Sequence, residues 1–518
     1  MRKLLVDIPE LRSSKQKDLL NLSKLTKKPP AVKKDSANIF EQVRINVEKV
    51  LSKYKDKVIV LRSEQEVQDY FDKAIDSGYI AIDTETTGLD HIKDKVVGTC
   101  LYYPGGKAAY IPHRHTSYLT GALLNNQVSY EFLRQQLQRV VDSKIQVLMH
   151  NADFDMRFIY YSMSIKVPCT WDTQHASRIL NNTESAALKY QHAVHIEHTE
   201  KQYDYSKLFK NVEYTKVSPN VAALYAAIDA LLTYELYEYQ KEVFEQPGNE
   251  ALYRVFKDIE MPLVSVVFDM EVAGVCIDKE MSKTLSEKYT KLLNVAHKEV
   301  MEKIKVYQTD IDKYNSSIIN IKKRLPNPIN ISSPQQLAVL FYDILKIQPK
   351  IAGSRSTDEE ALTKIGTPLC KSILKYRGLL KLLSTYIDKL PECVSEVDNR
   401  LHTTFLTLGT DTGRFSSRDP NLQNIPAKNQ EIRKMFTASP GYVLVGGDFS
   451  QQEPRLLAKY SGDEHMLQAY IEGKDLYATT ASKIYNTTYE NCLEFYPDGT
   501  TNKEGKKRRS SVKSVILG

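Results

Sequence analysis

Residues 79–83 read YIAID, an apolar and aromatic run that ends in an acid, with Glu85 two positions further on. An extended chain throws successive side chains to opposite faces, so Asp83 and Glu85 fall on the same side of it. A run this apolar and this short reads as a buried strand inside a sheet. Its surroundings agree. Residues 58–61 read as a strand and 64–76 as a helix, and strands and helices then alternate to about Tyr239. That pattern predicts an α/β domain built on a central sheet over residues 57–240.

The pattern then changes. Leu285, Tyr289, Leu292, Ala296, Val300, Ile304, Tyr307, Ile311, Tyr314 and Ile318 recur at steps of three and four, which predicts a long helical stretch closed by Pro326 and Pro328. Helices are expected at 333–345 and 372–390, strand-like runs at 401–408 and 442–448, and further helices after Glu472. The last of these, over 506–517, is basic and follows a polar loop at 496–505.

The length of 518 residues corresponds to about three or four domains at roughly 150 residues each. Apolar residues make up 42% and charged residues 26%, which excludes a disordered chain. The formal charge of +7 is concentrated at one end: residues 1–60 hold 15 Lys and Arg against 7 Asp and Glu. Residues 1–56 therefore read as a solvated basic extension, or as a weak nucleic-acid contact. Within it, Lys27, Lys28, Pro29 and Pro30 form a break, and a helical-looking run follows at 38–54. No apolar run is long enough to span a membrane, and the charged first twenty residues fit neither a secretory signal nor a transit peptide. The six cysteines form no C-x-x-C pair, so neither a zinc site of usual spacing nor a disulfide scaffold is expected, and a reducing cytoplasm is the natural compartment.

Paired carboxylates at a strand end suit hard divalent cations. Alone, a D-x-E is more often a solvated turn. Two further features accompany it. HNADFD places Asn151 and Asp155 after the apolar run 145–149, and YAAID places Tyr225 and Asp229 one helical turn apart on one face. Together and in this order, the set resembles the DEDD-type 3′–5′ exonucleases in their tyrosine variant. The resemblance implies a mixed-sheet, RNase H-like fold in which Asp83, Glu85, Asp155 and Asp229 hold two Mg²⁺ or Mn²⁺ ions. Tyr225 would orient the attacking water, and Asn151 would contact DNA. It also implies two-metal hydrolysis, with ions roughly 3.5–4 Å apart, acting on frayed 3′ ends of single-stranded DNA.

A second string, TGRFSSRDPNLQNIP at 412–426, is on its face a polar loop. It matches a signature of family A DNA polymerases almost letter for letter, and YVLVGGDFSQQEPRLLAKYSGD at 442–463 resembles the motif A of the same family. The resemblance implies a right-hand polymerase: connecting and thumb helices over 241–400, a partial α+β palm over 401–475 and the start of the fingers over 476–518. Arg414, Gln423 and Asn424 would lie along the minor groove of a primer–template, where acceptors look alike for all correct pairs. Asp448 would be a catalytic metal ligand and Glu453 the gate against a 2′-hydroxyl. Phe449 and Pro454 depart from the usual Tyr and Leu. KKRRSSVKSVILG resembles the start of motif B, in which Arg509 and Lys513 would meet an incoming dNTP. Leu517 stands where the family has an aromatic residue, and Tyr477 where it has a His. A bare basic amphipathic helix is the plain alternative for that segment.

The family continues past motif B to a second metal-binding aspartate in a His-Asp motif. The expectation is therefore the N-terminal part of a polymerase with a proofreading exonuclease, which synthesises DNA only with a separate C-terminal chain. Two other readings stay open: a stand-alone exonuclease with a DNA-binding polymerase remnant, and a nonenzymatic DNA-binding fragment.

Overall fold

A computed structural model describes residues 35–199, 205–210, 212–348, 354–410, 412–427 and 429–517. The Lys27–Lys28–Pro29–Pro30 break of the basic extension lies outside the described residues. The chain divides into two compact units, Met1–Ser439 and Pro440–Gly518.

The first unit is organised by a six-stranded mixed sheet. Its strands are β1 (Val58–Val60), β2 (Tyr79–Thr86), β3 (Val96–Tyr102), β4 (Ala108–Pro112), β5 (Gln146–Met149) and β6 (Trp171–Asp172). They lie in the order β1-β4-β3-β2-β5-β6. β2 pairs antiparallel with β3 and parallel with β5. A capping box at Ser63 and Glu66 starts the helix Glu64–Ser77. Gly78, at φ 78, ends that helix and turns the chain into β2.

β2 alternates between two cores. Ile80 and Ile82 pack with Val67, Phe71, Leu133, Leu137 and Phe158, beneath the helices Glu64–Ser77, Tyr130–Ser143 and Ala152–Met163. Ala81 packs on the opposite face, with Ala226, Ala227 and Ile228 of the helix Pro219–Glu245. Each fully buried Phe, Ile or Leu contributes roughly 1.5–3 kcal/mol, so covering both faces is what fixes the register of β2. At Gly98 of β3, opposite Glu85, an added Cβ would stand 2.1 Å from the Tyr110 ring. The close approach of that ring requires glycine there.

The helical run at 38–54 is present as Asp35–Val50 and Ser52–Lys57, but it is not a solvated arm. Val43, Val47, Leu51 and Tyr54 are buried in the core beneath the Pro219–Glu245 helix. The long stripe is split into Lys279–Lys305 and Gln308–Ser317. Its first part, Leu285 and Tyr289, packs with Tyr386, Ile387 and Ile432, and its second, Val300, Ile304 and Ile311, with Leu337, Phe341 and Ile373. A two-stranded hairpin, Thr404–Leu406 with Ser416–Arg418, carries the polar signature.

The second unit corrects one expectation. Residues 442–448 form no strand: Tyr442, Val443, Leu444 and Val445 are exposed, and Asp448 sits on an exposed segment without regular secondary structure. An apolar run becomes a strand only when a neighbouring strand takes its backbone groups, and among the described residues none does. The helices that follow are Gln452–Ser461, Glu464–Ile471, Leu476–Ile484 and Lys503–Leu517, with Ala478, Ala481, Cys492 and Val512 as their core.

Candidate active site

The two-residue period of β2 directs Asp83 and Glu85 to the face of Ala81, under the Pro219–Glu245 helix. Tyr225 and Asp229 lie on that helix. Thr84 points the other way and reaches the helix Ala152–Met163, where its Oγ1 and backbone N–H donate to Asp155 Oδ1 at 2.6 and 2.9 Å. Three elements thus bring four acids to the carboxyl-terminal half of β2.

The acids oppose one another's ionisation. Burial first, then the Asp155, Asp229 and Glu85 carboxylates, push Asp83 well up. Burial and Asp229 push Glu85 up to about 8. Burial pushes Asp155 up to about 7, although the two bonds from Thr84 pull it back. Asp229 is raised by burial against the pull of Lys189. Repulsion of this kind needs the groups close together in a medium that screens poorly.

The compensating charge is Lys189, on the helix Leu188–His195. Its Nζ stands 3.0 Å from Asp229 Oδ2, donates to Tyr225 Oη at 2.9 Å and lies 4.1 Å from the centre of the Tyr225 ring. As placed, no three His, Cys, Asp or Glu side chains among the described residues stand in position to hold an ion together. The donor set nevertheless fits hard cations. Four carboxylates face one ammonium, and Asp229 Oδ1 is buried with no hydrogen-bond partner.

Two clefts border the helix Ala152–Met163 that carries Asp155, both of them lined by Phe154 and Arg157 and neither by the four acids. One, of about 340 Å³, has Asn151 and Arg178 on one wall and residues 404–409 with Arg418 on the other. Asn151, at φ 67, is anchored by its N–H to Asp172 Oδ1. The other, of about 1370 Å³, is lined by residues 89–93, Lys381, Lys389, Arg418 and Asn424. Arg414, Gln423 and Asn424 are all exposed. Ser417 Oγ accepts from the N–H groups of Leu422 and Gln423, and Tyr386 donates to the Asn424 carbonyl at 2.6 Å, which fixes the loop that presents them.

In the second unit Arg509 and Lys513 do share a face, 5.2 and 5.9 Å from the Tyr477 ring. Arg509 is already engaged, donating from Nε and Nη2 to Asp475 Oδ2 at 3.1 and 2.8 Å. Glu453 is exposed in the first turn of the helix Gln452–Ser461. The Leu517 side chain lies outside the described residues.

Sequence reasoning missed Lys189, Thr84 and Arg157. Thr84 could have been found, because a hydroxyl between two ligand-type acids faces whatever packs on the far side of the strand. Lys189 carries no local signal: it sits in LKYQHAVH, and only the fold brings it to Asp229.

Residues 58–244 match the family model for the 3′-5′ exonuclease, and residues 297–495 match DNA polymerase family A. DNA polymerase I of Chloroflexus aurantiacus is 31% identical over 482 residues, covering 89% of this chain and 46% of the relative. DNA polymerase I of Pseudomonas aeruginosa is 31% identical over 431 residues, covering 79% of this chain and 44% of the relative. The chain therefore spans about half the length of these relatives. The polymerase domain of Pol1 from M. smegmatis, solved with DNA primer-template and dNTP, superposes with a TM-score of 0.66 at 20% identity, over 89% of this chain and 71% of that one. With the exonuclease match falling on the sheet that gathers the four acids and the polymerase match following it, this chain belongs to the family A DNA polymerases of the DNA polymerase I type that carry a 3′–5′ exonuclease domain.

Proposed function

We propose that residues 58–244 form a proofreading 3′–5′ exonuclease acting on DNA ends. The single observation that carries this reading is the convergence of Asp83, Glu85, Asp155 and Asp229 with Tyr225 at one sheet end. Asp83, Glu85, Asp155 and Asp229 would hold two divalent cations, Mg²⁺ or Mn²⁺. When bound, these would offset the carboxylate charge and that developing on the scissile phosphate. Tyr225 Oη would orient the attacking water, and Thr84 keeps Asp155 turned into the site. Water adds to phosphorus, the P–O3′ bond breaks, a nucleoside 5′-monophosphate leaves and the 3′ oxygen takes a proton.

The mixed sheet belongs in this reading to the RNase H-like class. The helices from 241 to 400 form the thumb and its connection, and 401–475 with 476–518 a partial palm and fingers. Lys93, Lys381, Lys389 and Arg418 line the larger cleft and would meet phosphates, with Arg414, Gln423 and Asn424 against a duplex minor groove. Asp448, Glu453, Arg509, Lys513 and Leu517 would serve the dNTP site. DNA synthesis is proposed only together with a separate C-terminal polymerase chain that would supply the rest of the fingers and palm.

The test is degradation of a 5′-labelled single-stranded oligonucleotide by the purified chain. Shortening from the 3′ end in Mg²⁺ or Mn²⁺ is expected, and it is lost in Asp83→Ala while oligonucleotide binding persists. Cleavage that survives Asp83→Ala refutes the assignment. A stand-alone exonuclease is the second reading, favoured by the exposed position of Asp448; it predicts no dNTP incorporation with any complementing chain.

A further inference from the structure

One buried guanidinium ties together two segments that the nuclease reading treats separately. Arg157 lies two residues beyond Asp155 on the helix Ala152–Met163, with its side chain 3% exposed. Its Nη1 is 2.9 Å from Oε2 of Glu271, a fully buried side chain on the helix Met261–Ala273. Nη1 also donates to Thr404 Oγ1 at 3.3 Å and to His91 Nε2, and Nη2 donates to Asp153 Oδ2. Glu271 Oε1 in turn accepts the backbone N–H of Phe405. Two consecutive residues of the Thr404–Leu406 strand are therefore held by the pair. The cleft of about 340 Å³ crosses this junction, with Asn151 on one wall and Arg418 on the other.

A planar fork of five donors can serve acceptors on four segments at once, which a lysine cannot. Glu271 Oε2 is buried with no hydrogen-bond partner and has the Arg157 guanidinium as its neighbour at 2.9 Å, so moving either side chain away leaves a polar group stranded in a dry interior, which is strongly penalised. The pair sets a distance as well as holding a contact.

We propose that Arg157 and Glu271 are positioning residues that fix the hairpin Thr404–Leu406 with Ser416–Arg418 against the helix carrying Asp155, so that a DNA strand leaving a primer–template crosses the cleft in line with the carboxylate site. The inference rests on the reading of Asp155 as a nuclease ligand and of the hairpin as a primer–template contact. A strand supplied already single enters the site without engaging the hairpin, so the two substrates separate the roles.

The test compares the wild-type chain with Arg157→Met/Glu271→Met, which removes both side chains of the buried pair at similar volume; Asp153, which loses Nη2, is 23% exposed and keeps solvent as a partner. Turnover at saturation on a single-stranded oligonucleotide should stay within about twofold, while KM for a primer–template with a mismatched 3′ end should rise about fivefold or more. Glu271→Gln, which keeps the acceptor for the Phe405 amide, should restore the KM. Equal loss on both substrates, or an unchanged KM, overturns the proposal. Primer–template affinity is measured in parallel by fluorescence anisotropy in Ca²⁺. A drop of similar size in the double variant is expected beside the KM change, and equal affinities overturn the proposal. A wild type that cleaves neither substrate in Mg²⁺ or Mn²⁺ marks failure of the exonuclease reading instead.

Discussion

Lys189 Nζ stands 3.0 Å from Asp229 Oδ2 and donates to Tyr225 Oη, placing one ammonium inside a cluster of four carboxylates. The ammonium offsets part of the charge that the cluster would otherwise hold unrelieved. Both Lys189 and Asp229 are largely buried, at 19% and 16% side-chain exposure, so the pair is only weakly screened.

Replacing Lys189 by Met should therefore weaken the metal-free protein more than the metal-loaded one. Removing one partner of a buried pair costs about 3 kcal/mol, less whatever residual solvent recovers at the Asp229 carboxylate. Thermal unfolding in EDTA and in saturating Mn²⁺ checks this. The rise in melting temperature on adding Mn²⁺ should be larger in Lys189→Met than in wild type, and an equal rise would show that the ammonium does not share the charge of the site.

The raised acids give a pH dependence of definite sign. Glu85 titrates at about 8 in the folded chain against an ordinary 4.5, and Asp155 at about 7 against 3.8. Between those limits the folded protein keeps protons that the unfolded chain has released. Their contribution to stability is complete below about pH 4 and is lost as the pH rises toward 8. Cations require the deprotonated carboxylates, so Mn²⁺ affinity should increase over the same range. In EDTA the wild-type melting temperature, taken relative to Glu85→Gln, should decline from pH 5 to pH 8, and saturating Mn²⁺ should flatten the decline. A relative melting temperature that climbs over that range contradicts the burial of these groups.

Thr84→Val tests the far side of the strand. The methyl keeps the shape and the β-propensity but deletes the 2.6 Å hydroxyl bond to Asp155 Oδ1. Loss of a group that orients a metal ligand typically lowers metal affinity or activity by about 10–100-fold. Asp155 should also titrate higher, because the hydroxyl now holds it down. The expected result is a Mn²⁺ midpoint raised within that range and a rate profile displaced to higher pH, read from oligonucleotide hydrolysis. Wild-type midpoints would mean that the backbone N–H of Thr84 alone positions Asp155.

What was legible follows from how local each signal is. The period of β2 and the four-residue spacing of Tyr225 and Asp229 are geometric properties of single elements, so the acids could be grouped before any contact was known. Two helices over the sheet could be read in the same way. The run at 442–448 failed because a strand exists through its neighbours, and four exposed apolar side chains there show that composition alone does not supply one. Val43, Val47 and Leu51 were hidden by the lysines around them: a mostly charged segment can still bury a single apolar stripe. Arg157 and Lys189 lie among ordinary helix residues, and only tertiary packing gives them charge partners.

Gly98→Ala probes the sheet behind Glu85. The added Cβ would stand 2.1 Å from the Tyr110 ring, whose hydroxyl is tied to His115 Nε2 at 2.7 Å and so cannot swing away freely. Overpacking of this kind costs typically 1–3 kcal/mol. Because Gly98 pairs with Glu85, the strain should reach the site as well as the fold, lowering nuclease turnover along with the denaturation midpoint.

Asp475 offers a separable test in the second unit. Its Oδ1 accepts the Ala478 N–H at 2.8 Å and caps the helix Leu476–Ile484, while its Oδ2 holds Arg509. Asp475→Asn keeps the cap and drops the charge; Asp475→Ala removes both. Loss of the cap should cost about 1 kcal/mol in Asp475→Ala and nearly nothing in Asp475→Asn. If Arg509 serves a triphosphate, it must exchange one acidic partner for another, and Asp475→Asn lowers the barrier to that exchange. Binding of a fluorescent dNTP should then tighten severalfold in Asp475→Asn and vanish in Arg509→Ala. Unchanged binding in both variants would leave Arg509 as a strut between the helices Leu476–Ile484 and Lys503–Leu517, with the nucleotide held elsewhere.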